Sequence, residues 1–280
     1  MHALRMALLG YGRFGRVHAL RARTHGAFEL ACVVDPDPHA RQAAQADGLL
    51  AVASLQDLPP GIDVATVATP APAHAAMAMA LMHRGIHVLV EKPFAPSLDE
   101  IEAMLATQCS TNRLLCTAHI ERFNACLHKD AWPVRPLHLR FERACHAQAS
   151  AEALVMDLMV HDLDLAAHLL GLPHQASCEV LSVHVQPRSV AVQLALDGQA
   201  IQLRAIHSAP RSRARLAWRS DHRQDRVLDL SSPSPPGSTD ALTRQYSAWQ
   251  RALQGQATDL ASAMDGAVAA RRALAIAARL

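Results

Sequence analysis

The sequence predicts an α/β protein in two parts: an N-terminal doubly wound parallel sheet, and a C-terminal α+β domain on a mainly antiparallel open sheet. Three observations carry that prediction. Short apolar runs alternate with helical stretches over the first 120 residues. Glycines close the first of these runs and a carboxylate closes the second. Beyond residue 135, alternating half-exposed runs joined by turn residues take over. A length of 280 residues suits two ordinary cores, and a chain half hydrophobic and 19% charged is not disordered as a whole. With 27 basic and 25 acidic residues, the net charge of +2 excludes a dedicated nucleic-acid binder.

Leu4 to Leu9 reads as a buried strand that runs into Gly10-Tyr11-Gly12-Arg13-Phe14-Gly15 and then a helix through Arg23, stopped near Gly26. This is G-x-G-x-x-G between strand and helix. The first glycine permits the tight turn, the second lets backbone approach a pyrophosphate, and the third lets helix pack on strand. Phe28 to Val34 is a second strand ending at Asp35, twenty residues after Gly15. A carboxylate there accepts hydrogen bonds from a ribose and repels a 2′-phosphate, so NAD is expected rather than NADP.

Ile62 to Ala68 is the next strand, ending at Thr69-Pro70, and Ala73 to Arg84 the next helix, stopped by Gly85. Ile86 to Val90 follows as a strand ending at Glu91-Lys92-Pro93. Ser97 is the expected N-cap of a helix over Leu98 to Thr107, with Glu100 completing a capping box. Leu114 to Ala118 closes the series. Thr69, Pro70, Glu91, Lys92 and His119 all fall at or just past carboxyl strand ends, where such sheets bind ligands.

From Arg135 the pattern changes. Leu137 to Glu142 alternates like a strand, and a helix is expected over Ala151 to Leu170. Strands are expected at Glu179–Val185 and Ser189–Leu196, the latter joined through Asp197-Gly198 to Ala200–Ile206 as a hairpin. Ala214–Trp218 and Arg226–Leu230 are weaker strand candidates. Ser231 to Gly237 reads as a polar loop. Leu242, Tyr246, Trp249 and Leu253 share one helical face, and Ala267 to Leu280 is a last helix. The division expected is residues 1–120 and 121–280, with the terminal helices able to pack back on the first domain.

Six scattered cysteines without a Cys-x-x-Cys pair suggest reduced, mostly buried thiols. The glycine motif begins at Gly10, no run approaches the roughly 18 apolar residues of a membrane span, and a soluble cytoplasmic protein is expected.

Two segments offer chemistry. Lys92 is either a solvated strand end or an ammonium placed to stabilise a substrate oxygen. Asp157, His161, Asp164 and His168, spaced four, three and four, are expected on one helix face, opposite Leu154, Leu158, Leu165 and Leu169. That face is a solvated stripe, a metal site of Asp157, His161 and Asp164, or an acid–base set with His161 as general base. Arg211, Arg213, Arg215 and Arg219 read as a solvated or subunit-interface face, with contact to a substrate diphosphate as the other option.

With these residues in view, the chain resembles the Gfo/Idh/MocA oxidoreductases over essentially its whole length. The matching pieces are the glycine motif with His18, Asp35, Glu91-Lys92-Pro93, and Asp157-x-x-x-His161-x-x-Asp164. The resemblance implies a dinucleotide-binding domain followed by an open-sheet domain that makes a dimer or tetramer interface, and no metal. It implies catalytic roles for Lys92, Asp157 and His161. It places NAD on Gly10, Gly12, Arg13, Phe14, Gly15, Asp35, Thr69, Pro70, His74, Glu91 and Lys92. The stretch Ala118-His119-Ile120-Glu121-Arg122-Phe123-Asn124 is similar to one in UDP-N-acetylglucosamine 3-dehydrogenases, with Ala118 in place of a glycine and Ala125-Cys126 where a proline usually follows. That likeness implies oxidation of a sugar 3-hydroxyl, a downstream aminotransferase, and substrate contacts at Lys92, His119, Arg122, Asn124, Asp157 and His161. Oxidation of another sugar or an inositol, or a nicotinamide-sensing protein without turnover, are the alternatives.

Overall fold

The computed structural model of the chain describes residues 3–127, 136, 138–219, 225–233 and 237–280. They form two compact units, Met1–Ile120 with Ala241–Gly266, and Glu121–Asp240 with Ala267–Leu280. The first unit begins β1 (Leu4–Leu9), α1 (Arg13–His25), β2 (Phe28–Val34), α2 (Pro38–Ala46), β3 (Ala51–Val52), β4 (Val64–Val67). It continues α3 (His74–His83), β5 (His87–Val90), α4 (Leu98–Thr111) and β6 (Leu115–Thr117). These strands are parallel in the order β6-β5-β4-β1-β2-β3. The strand order reverses between β1 and β4, which opens a crevice at their carboxyl ends. β4 is buried at every residue, the continuous apolar character of a strand covered on both faces.

The predicted elements lie within a few residues of those observed. Three were unread, α2, β3 and a two-residue strand at Ala261–Ser262. Asp37 caps α2 by accepting the His39 N–H at 2.9 Å, with Pro38 in the first turn. The helix is short and buries only Ala44, so its apolar period is faint. Ser97 does cap α4: its Oγ accepts the Glu100 N–H at 3.3 Å and donates to Glu100 Oε2 at 2.7 Å. That helix runs past the expected Thr107 to Thr111 and ends on Asn112 in the left-handed region, φ 52°.

The second unit holds β7 (His138–Ala144), α5 (Ala151–Ala153), a π-helical stretch Leu154–Met159, and α6 (Val160–Leu169). It continues with β8 (Cys178–Gln186), β9 (Ser189–Leu196), β10 (Gln199–Ile206), β11 (Arg213–Arg219) and β12 (Arg226–Asp229). Its sheet has the order β12-β11-β7-β10-β9-β8, antiparallel except for β7 beside β10. Asp197 and Gly198, at φ 49° and 78°, make the expected hairpin turn. One face of the sheet packs Leu139, Phe141, Ile201, Leu203, Leu216 and Trp218 against Val155, Met159, Val160 and Leu163. Leu137, the expected start of β7, and residues 234–236 of the expected polar loop lie outside the described residues.

The single helix expected over Ala151–Leu170 is corrected by the π-helical stretch. The Val160 N–H reaches back to the Val155 carbonyl, a five-residue step that changes which residues share a face. The core side is therefore Leu154, Val155, Met159, Val160, Leu163 and Leu165, while Leu158 and Leu169 are only half-buried.

The chain then returns to the first unit with α7 (Ala241–Leu253) and β13 (Ala261–Ser262), the latter antiparallel to β6, before α8 (Ala263–Ala277). α7 buries Leu242, Tyr246 and Trp249 as its spacing predicts, with Trp249 stacked on Phe28 at 5.2 Å between ring centroids. The six cysteines form no disulfide; Cys32 and Cys116 are buried, Cys109 is exposed and the other three are half-buried, so "mostly buried" overstates it. No helix among the described residues is long and apolar enough to cross a membrane.

Candidate active site

In the first unit a cavity of about 890 Å³ opens at the carboxyl ends of β1, β2 and β4, within the size range of small-molecule and cofactor sites. Gly10, Gly12, Arg13, Phe14, Asp35, Thr69 and Pro70 line it. Gly10 has φ +90°, and a side chain there would place Cβ 2.6 Å from the Ala68 carbonyl oxygen. At Gly15 a Cβ would lie 2.0 Å from the Gly10 carbonyl oxygen, so only glycine lets α1 seat this close to the turn. No side chain caps the N-terminus of α1 and no carboxylate lies in its first turn. Its leading amides thus suit an anion such as a pyrophosphate.

Asp35 is nearly buried. Its Oδ2 accepts the Tyr11 N–H at 2.7 Å and its Oδ1 accepts the Asp37 N–H at 2.9 Å. An ionised carboxylate has about four acceptor sites, so after bracing the glycine turn it keeps capacity for two ribose hydroxyls. The cavity, the glycine turn and this carboxylate fit NAD. A second cavity, about 720 Å³ with His25, Asp63, His87 and Arg113 in its wall, lies at the amino ends of the strands, the wrong edge for this kind of site.

Gly15, His74, Glu91 and Lys92 are not among the residues lining the 890 Å³ cavity. Glu91 follows β5, and its Oε1 lies 2.8 Å from His18 Nε2 while Oε2 accepts the Lys92 N–H at 3.1 Å. Burial pushes the Glu91 carboxyl up, but hydrogen bonding and charge from His18, helped by Lys92, outweigh it and hold it below its ordinary range. His18 and His74 are buried. The His74 ring nitrogens face two main-chain carbonyls, Nδ1 to Pro93 at 2.8 Å and Nε2 to Thr69 at 2.9 Å. The Lys92–Pro93 peptide is cis. His119 follows β6, whose neighbour Ala118 donates its N–H to the Val90 carbonyl at the end of β5.

In the second unit the four polar residues expected on one face are divided. Asp157 is exposed on the π-helical stretch, His161 and His168 are half-buried, and Asp164 is buried. Arg122 donates to both Asp164 oxygens, at 2.9 and 2.6 Å. Arg143, also buried, donates to Asp162 at 2.7 Å and to Glu121 at 2.9 Å. Asn124 Nδ2 donates to Glu121 and to the Leu230 carbonyl. The Arg122 and Arg143 contacts fasten the 121–124 turn to the helix carrying His161. Burial drives the Asp162 carboxyl up to about 6 despite Arg143, with Glu121 adding like charge.

Sequence reasoning missed Asp162, Arg143 and Glu121. Their signal was two carboxylates inside an otherwise apolar helix, which demand buried cationic partners. On β11, Arg213 and Arg219 pair with Glu142 and Asp225, opposite the buried Ala214, Leu216 and Trp218. Among the described residues no three His, Cys, Asp or Glu side chains cluster to hold a metal.

Residues 4–119 match the model of the family GFO_IDH_MocA, described as "Oxidoreductase family, NAD-binding Rossmann fold". UDP-N-acetylglucosamine 3-dehydrogenase of Acidithiobacillus ferrooxidans is 31% identical over 175 residues, 60% of this chain and 55% of that protein. The scyllo-inositol 2-dehydrogenase (NAD(+)) of Bacillus subtilis is 30% identical over 61% of this chain and 55% of that protein. The matches thus span little more than half the length of these curated relatives. Among solved structures, the A. ferrooxidans enzyme superposes with a TM-score of 0.83 at 22% identity, covering 100% of this chain and 98% of that one. Myo-inositol 2-dehydrogenase of Lactobacillus plantarum gives 0.82 at 18% identity, covering 99% and 97%. At these identities the superpositions establish the fold. Residues 4–119 thus match the NAD-binding Rossmann domain of the Gfo/Idh/MocA oxidoreductases, and the rest of the chain shares their fold.

Proposed function

We propose that the protein is an NAD-dependent dehydrogenase of a sugar secondary alcohol, with the 3-hydroxyl of UDP-N-acetylglucosamine as its substrate. The observation that carries this reading is the tie through His74: the Pro93 carbonyl, one residue past Lys92, shares a buried imidazole with the carbonyl of Thr69 in the cofactor cavity. Main chain held this way beside the cofactor loop suits a lysine whose ammonium stabilises the oxygen of an alcohol being oxidised. The 31% identity to a UDP-N-acetylglucosamine 3-dehydrogenase supports the choice of substrate.

Gly10, Gly12, Arg13, Phe14, Asp35, Thr69 and Pro70 would hold NAD, which when bound supplies the two-electron acceptor. The chain's own residues handle the proton. His161 takes it from the hydroxyl, Lys92 donates a hydrogen bond to the oxygen as negative charge develops there, and Asp157 orients the His161 ring. His119 is proposed to contact the sugar. Arg122 and Asn124 are proposed to contact the sugar or its diphosphate, from a turn held by the Arg122–Asp164 pair and by the Asn124 bonds to Glu121 and the Leu230 carbonyl.

The test follows nicotinamide absorbance with NAD and UDP-N-acetylglucosamine, coupled to a sugar aminotransferase that removes the ketone. Silence with working coupling overturns the substrate. The inositol 2-dehydrogenases among the relatives, one of them 32% identical over 67% of this chain, favour a second reading, a free polyol. The same assay with scyllo- and myo-inositol decides between the two.

A further inference from the structure

The Glu91-Lys92-Pro93 segment is held on both sides by buried histidines of the first unit. On the Glu91 side, His18 from α1 reaches Oε1 through Nε2, and its Nδ1 lies 3.0 Å from the Tyr246 hydroxyl on α7. The Tyr246 oxygen lies 3.3 Å from Thr66 Oγ1. His18, Thr66 and Tyr246 are all fully buried. Since Glu91 is held ionised, Nε2 of His18 is the donor to it, which leaves Nδ1 to the tyrosine hydroxyl. Burial also raises the Tyr246 phenol, so it keeps its proton. On the Pro93 side stands His74, the first residue of α3, with both ring nitrogens on carbonyls. Burial lowers its pKa, while the bonds to Pro93 and Thr69 and the charge of Glu91 act in the opposite direction.

Lys92 therefore sits between two fixed points, and its own N–H is bonded to Glu91. A solvated strand end needs none of this. Buried imidazoles cost desolvation unless their polar atoms are engaged; both His18 nitrogens meet a partner at 3.0 Å or less, and the neutral His74 ring has one N–H to donate to one of the two carbonyls that flank it.

We infer that His18, with Tyr246 behind it, and His74 are positioning residues for Lys92: one sets the Glu91 end of the segment, the other sets the Pro93 end against the cofactor loop. The inference rests on the proposed dehydrogenase reading for its kinetic arm, but its labelling arm needs no substrate. The chain has only two lysines, Lys92 and Lys129, so acetylation by an N-hydroxysuccinimide ester can be quantified on the Lys92 peptide by mass spectrometry. Lys129, outside the described residues, serves as the internal control.

The variants are His74→Phe, His74→Asn and Tyr246→Phe, each accepted only with native circular dichroism. Tyr246→Phe keeps the packed ring and removes one hydroxyl, so it serves if the histidine variants do not fold. The expected result is a Lys92 labelling profile shifted along the pH axis in His74→Phe and Tyr246→Phe, partly restored in His74→Asn, with Lys129 unchanged. Turnover should fall by about 10-fold or more in His74→Phe and by about threefold or more in Tyr246→Phe, with KM and NAD affinity within about threefold. Folded variants with wild-type labelling and wild-type kcat would overturn the inference. A shifted labelling profile without turnover on any alcohol would sustain it and sink the dehydrogenase reading instead.

Discussion

Gly15→Ala is the sharpest test of the cofactor site. Its new Cβ would stand 2.0 Å from the Gly10 carbonyl oxygen and 2.8 Å from the carbonyl carbon, where contacts under 3.0 Å essentially never occur. Gly10 cannot retreat, because its N–H is bonded to the Val34 carbonyl at 2.8 Å and Ala68 lies against its other side. The helix must therefore withdraw by about 1 Å, the shortfall from that limit, taking its leading amides out of line with the phosphates. A hydrogen bond to a charged group is worth about 1.5–3 kcal/mol, so the partial loss of two such bonds costs about 2–4 kcal/mol. That is about 30- to 700-fold in the Kd for NAD. Isothermal titration with NAD measures it, with thermal unfolding alongside. Gly12→Ala separates the causes: its Cβ meets no atom within 4 Å, so it should bind NAD poorly yet unfold at the wild-type temperature. A folded Gly15→Ala with Kd within about threefold of wild type would refute the reasoning.

Further outcomes follow from the second unit. Arg143→Met leaves Asp162 and Glu121 without their shared cation and should cost about 3–5 kcal/mol in urea unfolding, much of it recovered when Asp162→Asn and Glu121→Gln are added. Asp162, raised from 3.8 to about 6, takes up its proton in the folded state first. Its contribution to stability is therefore present below pH 3.8 and lost as pH rises through about 6, a swing of about 3 kcal/mol. Asp162→Asn should gain on the wild type by that amount across the window, and parallel curves would remove the carboxyl from the account. In the first unit burial lowers the pKa of His25, His74 and His87. The unfolded chain protonates these groups more readily, so stability should fall as pH drops below 6.5, opposite in sign to Asp162. His161→Ala should reduce turnover by about 10²-fold or more with NAD affinity kept; unchanged turnover would take His161 out of the mechanism.

The parallel sheet was legible because its strands are short continuous apolar runs and its glycines have one geometric purpose each. Asp35 could be placed for the same reason, as the polar end of the run Phe28 to Val34. The acid–base helix was less legible. Counting by fours and threes assumes 3.6 residues per turn, and the wide turn at Val160 breaks that assumption without any proline or glycine to announce it. Nothing in the spacing of Arg122 reveals its partner Asp164, forty-two positions on. The two carbonyls that flank His74, those of Pro93 and Thr69, were equally hidden from the spacing. Long-range polar pairing leaves no period to count.

Tyr246 lies 228 positions from the histidine it contacts, and this has a bearing on how the protein is made. A ribosome that has released residue 120 has already delivered β1 to β6 and helices α1 to α4. Phe28 still lacks Trp249, and the edge of β6 still lacks β13. The nascent sheet must therefore wait through 120 further residues, Glu121–Asp240, with an apolar flank and an unpaired strand edge open to solvent. Such intermediates are prone to aggregate. A chain cut between residue 120 and α7 would keep its glycine turn and still never complete the unit that carries it.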